Sequence, residues 1–147
     1  MKTDPDDFAV DNFAKLPRKT TAWTGVRNFQ ARNYMKEMAK GDLALLYHSS
    51  CPEPGIVGVM SIASARAYAD PTQFDAASKY HEPAATPDAP RWFLVDVKLE
   101  RKTELVPLEA LRAVPALSGM MILRKGNRLS ITPVTDPEWK ALEKLLR

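Results

Sequence analysis

The apolar residues of this chain come in short, uneven runs, and that limits the folds open to it more than any other feature. Leu43-Ala44-Leu45-Leu46-Tyr47 is a compact apolar run that predicts a buried strand, and His48-Ser49-Ser50-Cys51-Pro52 leaves it as a loop. Gly55 to about Tyr68 predicts a second strand, carried by Ile56, Val57, Val59 and Ile62. Arg91 to Leu105 is strand-like, because Phe93, Val95, Val97 and Leu99 alternate with Leu94, Asp96 and Lys98. Asn127 to Val134 predicts one more. Helical signals fall between these runs, but the connections are too irregular for a regular βαβ array. The prediction is an α+β domain: a small, mostly antiparallel β pseudobarrel flanked by short helices.

The helices announce themselves by their ends. Asp4-Pro5-Asp6-Asp7 has the capping acid and first-turn proline of a helix running to about Leu16. Asn28 predicts an N-cap, followed by Ala31, Tyr34, Met35 and Met38 on one face and Gly41 as the stop. Pro107 to Arg112 starts a short helix, and Leu117 to Leu123 predicts another. Asp136-Pro137 caps a last helix whose apolar stripe is Trp139, Leu142, Leu145 and Leu146. Residues 69–90, rich in Ala, Pro and Asp, predict a long surface loop with a helical turn after Asp70-Pro71.

Several functions are made unattractive by what is missing. The 147 residues amount to one domain. Two histidines and one cysteine cannot build a four-ligand Cys/His zinc site, so no metal and no cofactor is expected. There is no G-x-x-x-x-G-K-[ST], G-x-G-x-x-G or H-E-x-x-H. No apolar run reaches the roughly 20 residues of a membrane span. The start is acidic rather than signal-like, so a cytoplasmic monomer is expected. Cys51 reads as a loop thiol without a redox role. A net charge of +3 is too mild to demand a polyanion, which leaves clustering as the informative quantity.

The clustering is sharpest between Trp23 and Asn33. Trp-Thr-Gly-Val-Arg-Asn-Phe-Gln-Ala-Arg-Asn packs a large ring, two guanidiniums and three amides into eleven residues that run into a helix. A ring that stacks, amides that read hydrogen-bonding edges and arginines that hold phosphate suit a nucleobase. The same residues also describe an ordinary helix cap with a solvated face, and Trp23 on its own favours a core position. A second basic cluster is Arg124, Lys125 and Arg128 around Gly126, and a third is Lys98, Arg101 and Lys102. Each reads either as a phosphate track or as a solvated face.

Lys2-Thr3-Asp4-Pro5, Trp23-Thr24-Gly25-Val26-Arg27-Asn28, Gln30-Ala31-Arg32-Asn33, Gly41-Asp42, Tyr47-His48-Ser49, Gly55-Ile56-Val57-Gly58, Arg128-Leu129-Ser130 and Trp139 occur in an order that resembles the EVE domain family, a branch of the PUA-like superfamily. The resemblance spans nearly the whole chain, 1–147, as a single EVE domain. It implies a PUA-like pseudobarrel and a nucleic-acid partner, DNA or RNA, with a modified base, cytosine or adenine, held in a pocket. It turns Trp23 from core residue to pocket wall. The base pocket is then expected at Trp23, Val26, Asn28, Tyr47, His48, Ser49 and Ser130. Phosphate is expected at Arg27, Arg32, Arg124, Lys125 and Arg128, with Lys2, Asp4 and Trp92 as further candidates.

Two departures from the family stand out. The family carries Lys-Ser-Glu-Pro where this chain has Lys2-Thr3-Asp4-Pro5, so the acid is one methylene shorter. The family also has an apolar strand with a tryptophan before that lysine, whereas here the lysine is residue 2. The expectation is an incomplete first strand, with in-frame codons upstream of Met1 encoding a short apolar segment. The reading this supports is a non-enzymatic base-holding module. Its alternatives are an enzyme on RNA or a nucleotide with His48 as acid–base, and a protein-interaction scaffold.

Overall fold

The computed structural model describes residues 1–147. Five strands form one curled sheet in the order β1 (Lys2–Thr3), β3 (Leu43–His48), β4 (Gly55–Ile62), β7 (Asp96–Pro107) and β2 (Thr20–Ala22). All pairings are antiparallel except β1 with β3, which is parallel and joins Lys2 to Tyr47 and Thr3 to His48. A separate ribbon joins β5 (Tyr68–Ala69) to β6 (Phe93–Leu94). The helices are α1 (Val10–Ala14), α2 (Phe29–Lys36), α3 (Leu108–Arg112) and α4 (Asp136–Glu143). None is long and apolar enough to cross a membrane.

The central strand, β4, is apolar along nearly its whole length. Along β4, Ile56 and Val59 pack into one core, while Val57, Met60 and Ile62 pack into the other. A strand buried on both faces has no polar side to alternate with. The first core gathers Phe13, Met35, Leu46, Met60, Val97 and Leu99 under α1 and α2; the second gathers Leu45, Tyr47, Ile56, Leu111 and Leu142 under α3 and α4. Phe13 and Leu142 are fully buried, worth roughly 1.5–3 kcal/mol each. Gly55 is obligatory here, because a Cβ would lie 2.2 Å from the Val106 carbonyl oxygen.

Five expectations about elements change. Asp4-Pro5 starts a turn rather than a helix. Asp4 Oδ1 accepts the Asp6 N–H at 2.9 Å, and the Asp4 carbonyl accepts from Asp7 and Phe8. An aspartate that bonds its own backbone competes with helix growth, so α1 begins only at Val10. The second strand stops at Ile62, and Tyr68 belongs to the separate ribbon. Residues 127–134 form no strand at all: the tie to the sheet is one bond from the Lys2 N–H to the Ser130 carbonyl, 2.8 Å. The last helix is capped one residue early, by a Thr135–Glu138 capping box. The predicted helix at 117–123 is two 3₁₀ turns, Pro115–Leu117 and Met121–Leu123.

Residues 69–90 run over the surface yet are pinned from beneath. Asp70 and Gln73 are completely buried. Gln73 donates to the Asp70 and Trp92 carbonyls at 2.8 Å and accepts the Arg91 and Trp92 N–H groups at 3.0 Å. Every hydrogen-bonding position of that amide is filled, which is what makes its burial tolerable.

Candidate nucleobase site

Strand β2 carries the chain to a polar hollow of about 500 Å³. Thr20–Ala22 pair with β7, and the Trp23 N–H continues the ladder to the Val95 carbonyl at 2.9 Å. The chain then turns at Gly25 (φ +84°), whose N–H donates to Asp70 Oδ2 at 2.9 Å. A Cβ on Gly25 would lie 2.6 Å from the Tyr80 ring, so the residue must be glycine on two counts. Trp23, Val26, Lys2, Asp4, Phe8, Lys79, Tyr80 and Ser130 are among the residues that line it.

Arg27 joins these walls. Its guanidinium donates to the Tyr80 carbonyl through Nε (3.2 Å) and Nη2 (2.8 Å), to the Val26 carbonyl (3.0 Å), to Asp70 Oδ2 (3.2 Å) and to Thr72 Oγ1 (3.0 Å). An arginine has five N–H donors, and five bonds use them. Asp70 also accepts the Thr72 N–H at 2.9 Å and the Thr72 hydroxyl. Burial alone would raise the Asp70 pKa; the hydrogen bonds from Thr72, Gly25 and Arg27 outweigh it and hold the carboxyl below its ordinary range. Across the mouth, Lys79 stands 3.7 Å from Asp7, both exposed. Burial lowers the Lys2 ammonium below the usual lysine range.

The hollow thus gathers Trp23, Val26, Arg27, Ser130, Lys2 and Asp4 from the sequence-derived set. Trp23 is at once wall and core, since it is only 8% exposed and packs with Phe13 and Met35. The other candidates lie elsewhere. Asn28 is the N-cap of α2, its Oδ1 accepting the Ala31 N–H at 3.0 Å. Tyr47 belongs to the second core and faces a different, apolar hollow. His48 Nε2 accepts the Val10 N–H at 3.2 Å and so caps α1. Burial lowers its pKa, although Asp11 and Asp4 pull the other way. Ser49 is spent at the sheet edge, its N–H bonded to the Thr3 carbonyl at 2.9 Å. Trp92 stacks on Phe29 instead of forming a second wall. Arg27 is saturated, so it braces the site and has no N–H left for phosphate. Arg32 bonds the Arg91 carbonyl at 2.8 Å. Arg124, Lys125 and Arg128 are exposed on the loop that leads to Ser130, outside the lining.

Sequence reasoning missed Asp7, Phe8, Lys79, Tyr80 and Asp70. A signal for Tyr80 existed: it is one of two aromatics, with Phe74, in a stretch otherwise poor in them. Asp70 gave only a turn signal. No cluster of His, Cys, Asp and Glu suited to a metal is present.

The second hollow, about 510 Å³, is lined by Met1, Leu43, Leu45, Ile122, Val134 and Trp139 among others. Here β1 covers only the far end of β3. The Met1 ammonium donates to the Leu45 carbonyl at 2.8 Å, and burial, with Lys2 nearby, pushes its pKa down to about 5.

A curled, mostly antiparallel half-barrel with short outer helices and a polar hollow at the end of an edge strand defines a PUA-like α+β domain. The chain belongs to the EVE domain family, whose pattern matches residues 1–145. It is 38% identical over 156 residues to thymocyte nuclear protein 1 of Homo sapiens, covering 95% of this chain and 69% of that protein. A solved protein from Pseudomonas syringae shares the fold at TM-score 0.93 and 40% identity, with 99% and 96% of the two chains covered. Human THYN1 in complex with 5-methylcytosine-containing DNA aligns at TM-score 0.91 and 36% identity, covering 99% and 94%.

Proposed function

We propose that this chain is a non-enzymatic nucleic-acid-binding module that holds one modified cytosine in the hollow between Trp23 and Tyr80. The observation that carries the reading is the pairing of aromatic walls with a charged edge. Trp23, Phe8 and Tyr80 offer ring surface, while Lys2, Asp4 and Ser130 offer a donor, an acceptor and a group that can be either. A cytosine edge presents an amine donor beside ring acceptors, which suits a carboxylate next to an ammonium. Taking a base out of the stack costs a few kcal/mol, and stacking on aromatics returns roughly 1–3 kcal/mol per base. The 5-methylcytosine DNA bound to human THYN1 supports the same ligand class here.

The non-enzymatic reading rests on His48. His48, the histidine that the enzymatic alternative recruits, accepts a backbone N–H and stands outside the hollow. The test is competition binding with strands carrying 5-methylcytosine, cytosine or N6-methyladenine. The expected order places the 5-methylcytosine strand first, and Asp4→Ala and Lys2→Met remove the preference without lowering the melting temperature. Equal binding of all three strands, unaffected by either variant, would overturn the reading.

A further inference from the structure

One wall of the hollow continues away from it as a stack of alternating cations and rings. Lys79 Nζ sits 5.0 Å from the Tyr80 ring centre, and the Arg27 guanidinium lies 5.3 Å from Tyr80 and 5.5 Å from Trp92. Trp92 stacks on Phe29 at 4.8 Å with 26° between the planes, and Arg32 covers Phe29 at 4.8 Å. Trp92 is held by its two faces, because its indole N–H has no acceptor. Inside the stack Trp92 is buried, Arg27 is saturated and Tyr80 is half-buried. Its outer end is neither: Phe29 is 53% exposed, a large ring left in solvent at the first position of α2.

From this end we infer a second nucleotide site: a base flanking the one in the hollow stacks on the Phe29–Arg32 layer. Exposed aromatic and guanidinium planes are the surfaces on which unpaired bases stack without sequence preference. The charges match a phosphodiester. Arg32 lies over the ring and bonds the Arg91 carbonyl, Lys36 lies further along the same helix over Phe93, and α2 carries no acidic residue. An apolar protein partner would gain from the ring but not from the guanidinium laid over it. Because Trp92, Arg27 and Tyr80 join the platform to the hollow, one strand can engage both.

The inference rests on the hollow reading for its first base, and the experiment separates the two. Affinities are measured for 5-methyl-dCMP and for a single-stranded trinucleotide with 5-methylcytosine at its centre, using wild type, Phe29→Ala, Phe29→Leu and Phe29→Trp. The trinucleotide is expected to bind about tenfold or more tighter than the mononucleotide, the size of one stacked base. Phe29→Ala and Phe29→Leu should erase most of that gain and leave mononucleotide binding unchanged, and Phe29→Trp should keep it. Phe29→Leu still covers Trp92, so a merely structural role predicts that it binds like wild type, and that result would overturn the inference. So would equal trinucleotide affinity for Phe29→Ala and wild type. If the mononucleotide fails to bind while the trinucleotide still depends on Phe29, the platform stands and the hollow reading falls. Binding of neither ligand overturns both.

Discussion

The two hollows differ in almost nothing but chemistry. They are nearly equal in volume, about 500 and 510 Å³, and both open beside β1. One is edged by Lys2, Asp4, Asp7 and Lys79 and braced by a saturated guanidinium; the other is walled by Leu43, Leu45, Val134 and Trp139. Volume alone would rank them together. A buried polar group tolerates only partners that complete its hydrogen bonds, so the first hollow can choose among ligands by their polar edges, while the second offers mostly apolar surface.

The largest test of this contrast is to remove the brace. Asp70→Ala leaves the Arg27 guanidinium without its charge partner inside the wall, and breaking a buried pair costs about 3–5 kcal/mol. Arg27 is partly exposed, which places the expected loss toward the lower figure. Urea unfolding should show it, and a loss below about 1 kcal/mol would mean that the wall does not depend on the pair.

Next comes selectivity of site. Asp4→Ala should weaken a 5-methylcytosine strand by about 1–3 kcal/mol, the cost of leaving a buried partner unpaired. Trp139→Phe, in the apolar hollow, should leave it unchanged. Equal effects in a titration would erase the distinction.

The hollows should also titrate in different windows. Asp70 is held below its unfolded pKa, so its contribution is complete above the carboxylate range and is lost as pH falls through the folded value. The Met1 amine, beside the apolar hollow, is pushed down to about 5 from 8, so between those values the unfolded chain holds a proton that the folded chain lacks. Stability should therefore rise with pH across that interval, by up to about 1.4 kcal/mol per unit. His48 adds in the same direction below its ordinary pKa, because only the neutral ring accepts from Val10. Melting curves from pH 4 to 9 should show the rise, less steep in His48→Gln. A flat profile from pH 5 to 8 would show that the amine is not buried.

The smallest effect belongs to the loop before Ser130. Arg128→Ala should flatten the dependence of log K on log salt by about 0.7–0.9, one phosphate contact. An unchanged slope would assign Arg128 to solvent.

Residues that carry local signals were legible in advance. Asn28 as N-cap, the α2 face of Ala31 and Met35, and the strand at Leu43–His48 follow from spacing and capping chemistry. The hollow was legible only along its Trp23–Arg27 side. Its Tyr80 side is held by Arg27, and the excursion that carries it by Asp70 and Gln73, through contacts between residues some 19 to 53 positions apart, and no periodicity records such contacts. Tyr47 and His48 fall outside this hollow for a related reason. Neighbours on a strand face opposite ways, and a family motif does not say which way.

The bonds of Gln73 have one more consequence, for how such a domain changes over generations. By tying the backbone at Asp70 to that at Arg91 and Trp92, this single amide closes the excursion at its base. The frame then has no stake in the length of what hangs beyond it, and lengthening a closed loop costs little, about 0.6 kcal/mol per doubling. Around the exposed Thr86–Ala89 turn, the chain can gain or lose residues while Tyr80 stays where Arg27 holds it. New specificity can be tried there without refolding the barrel.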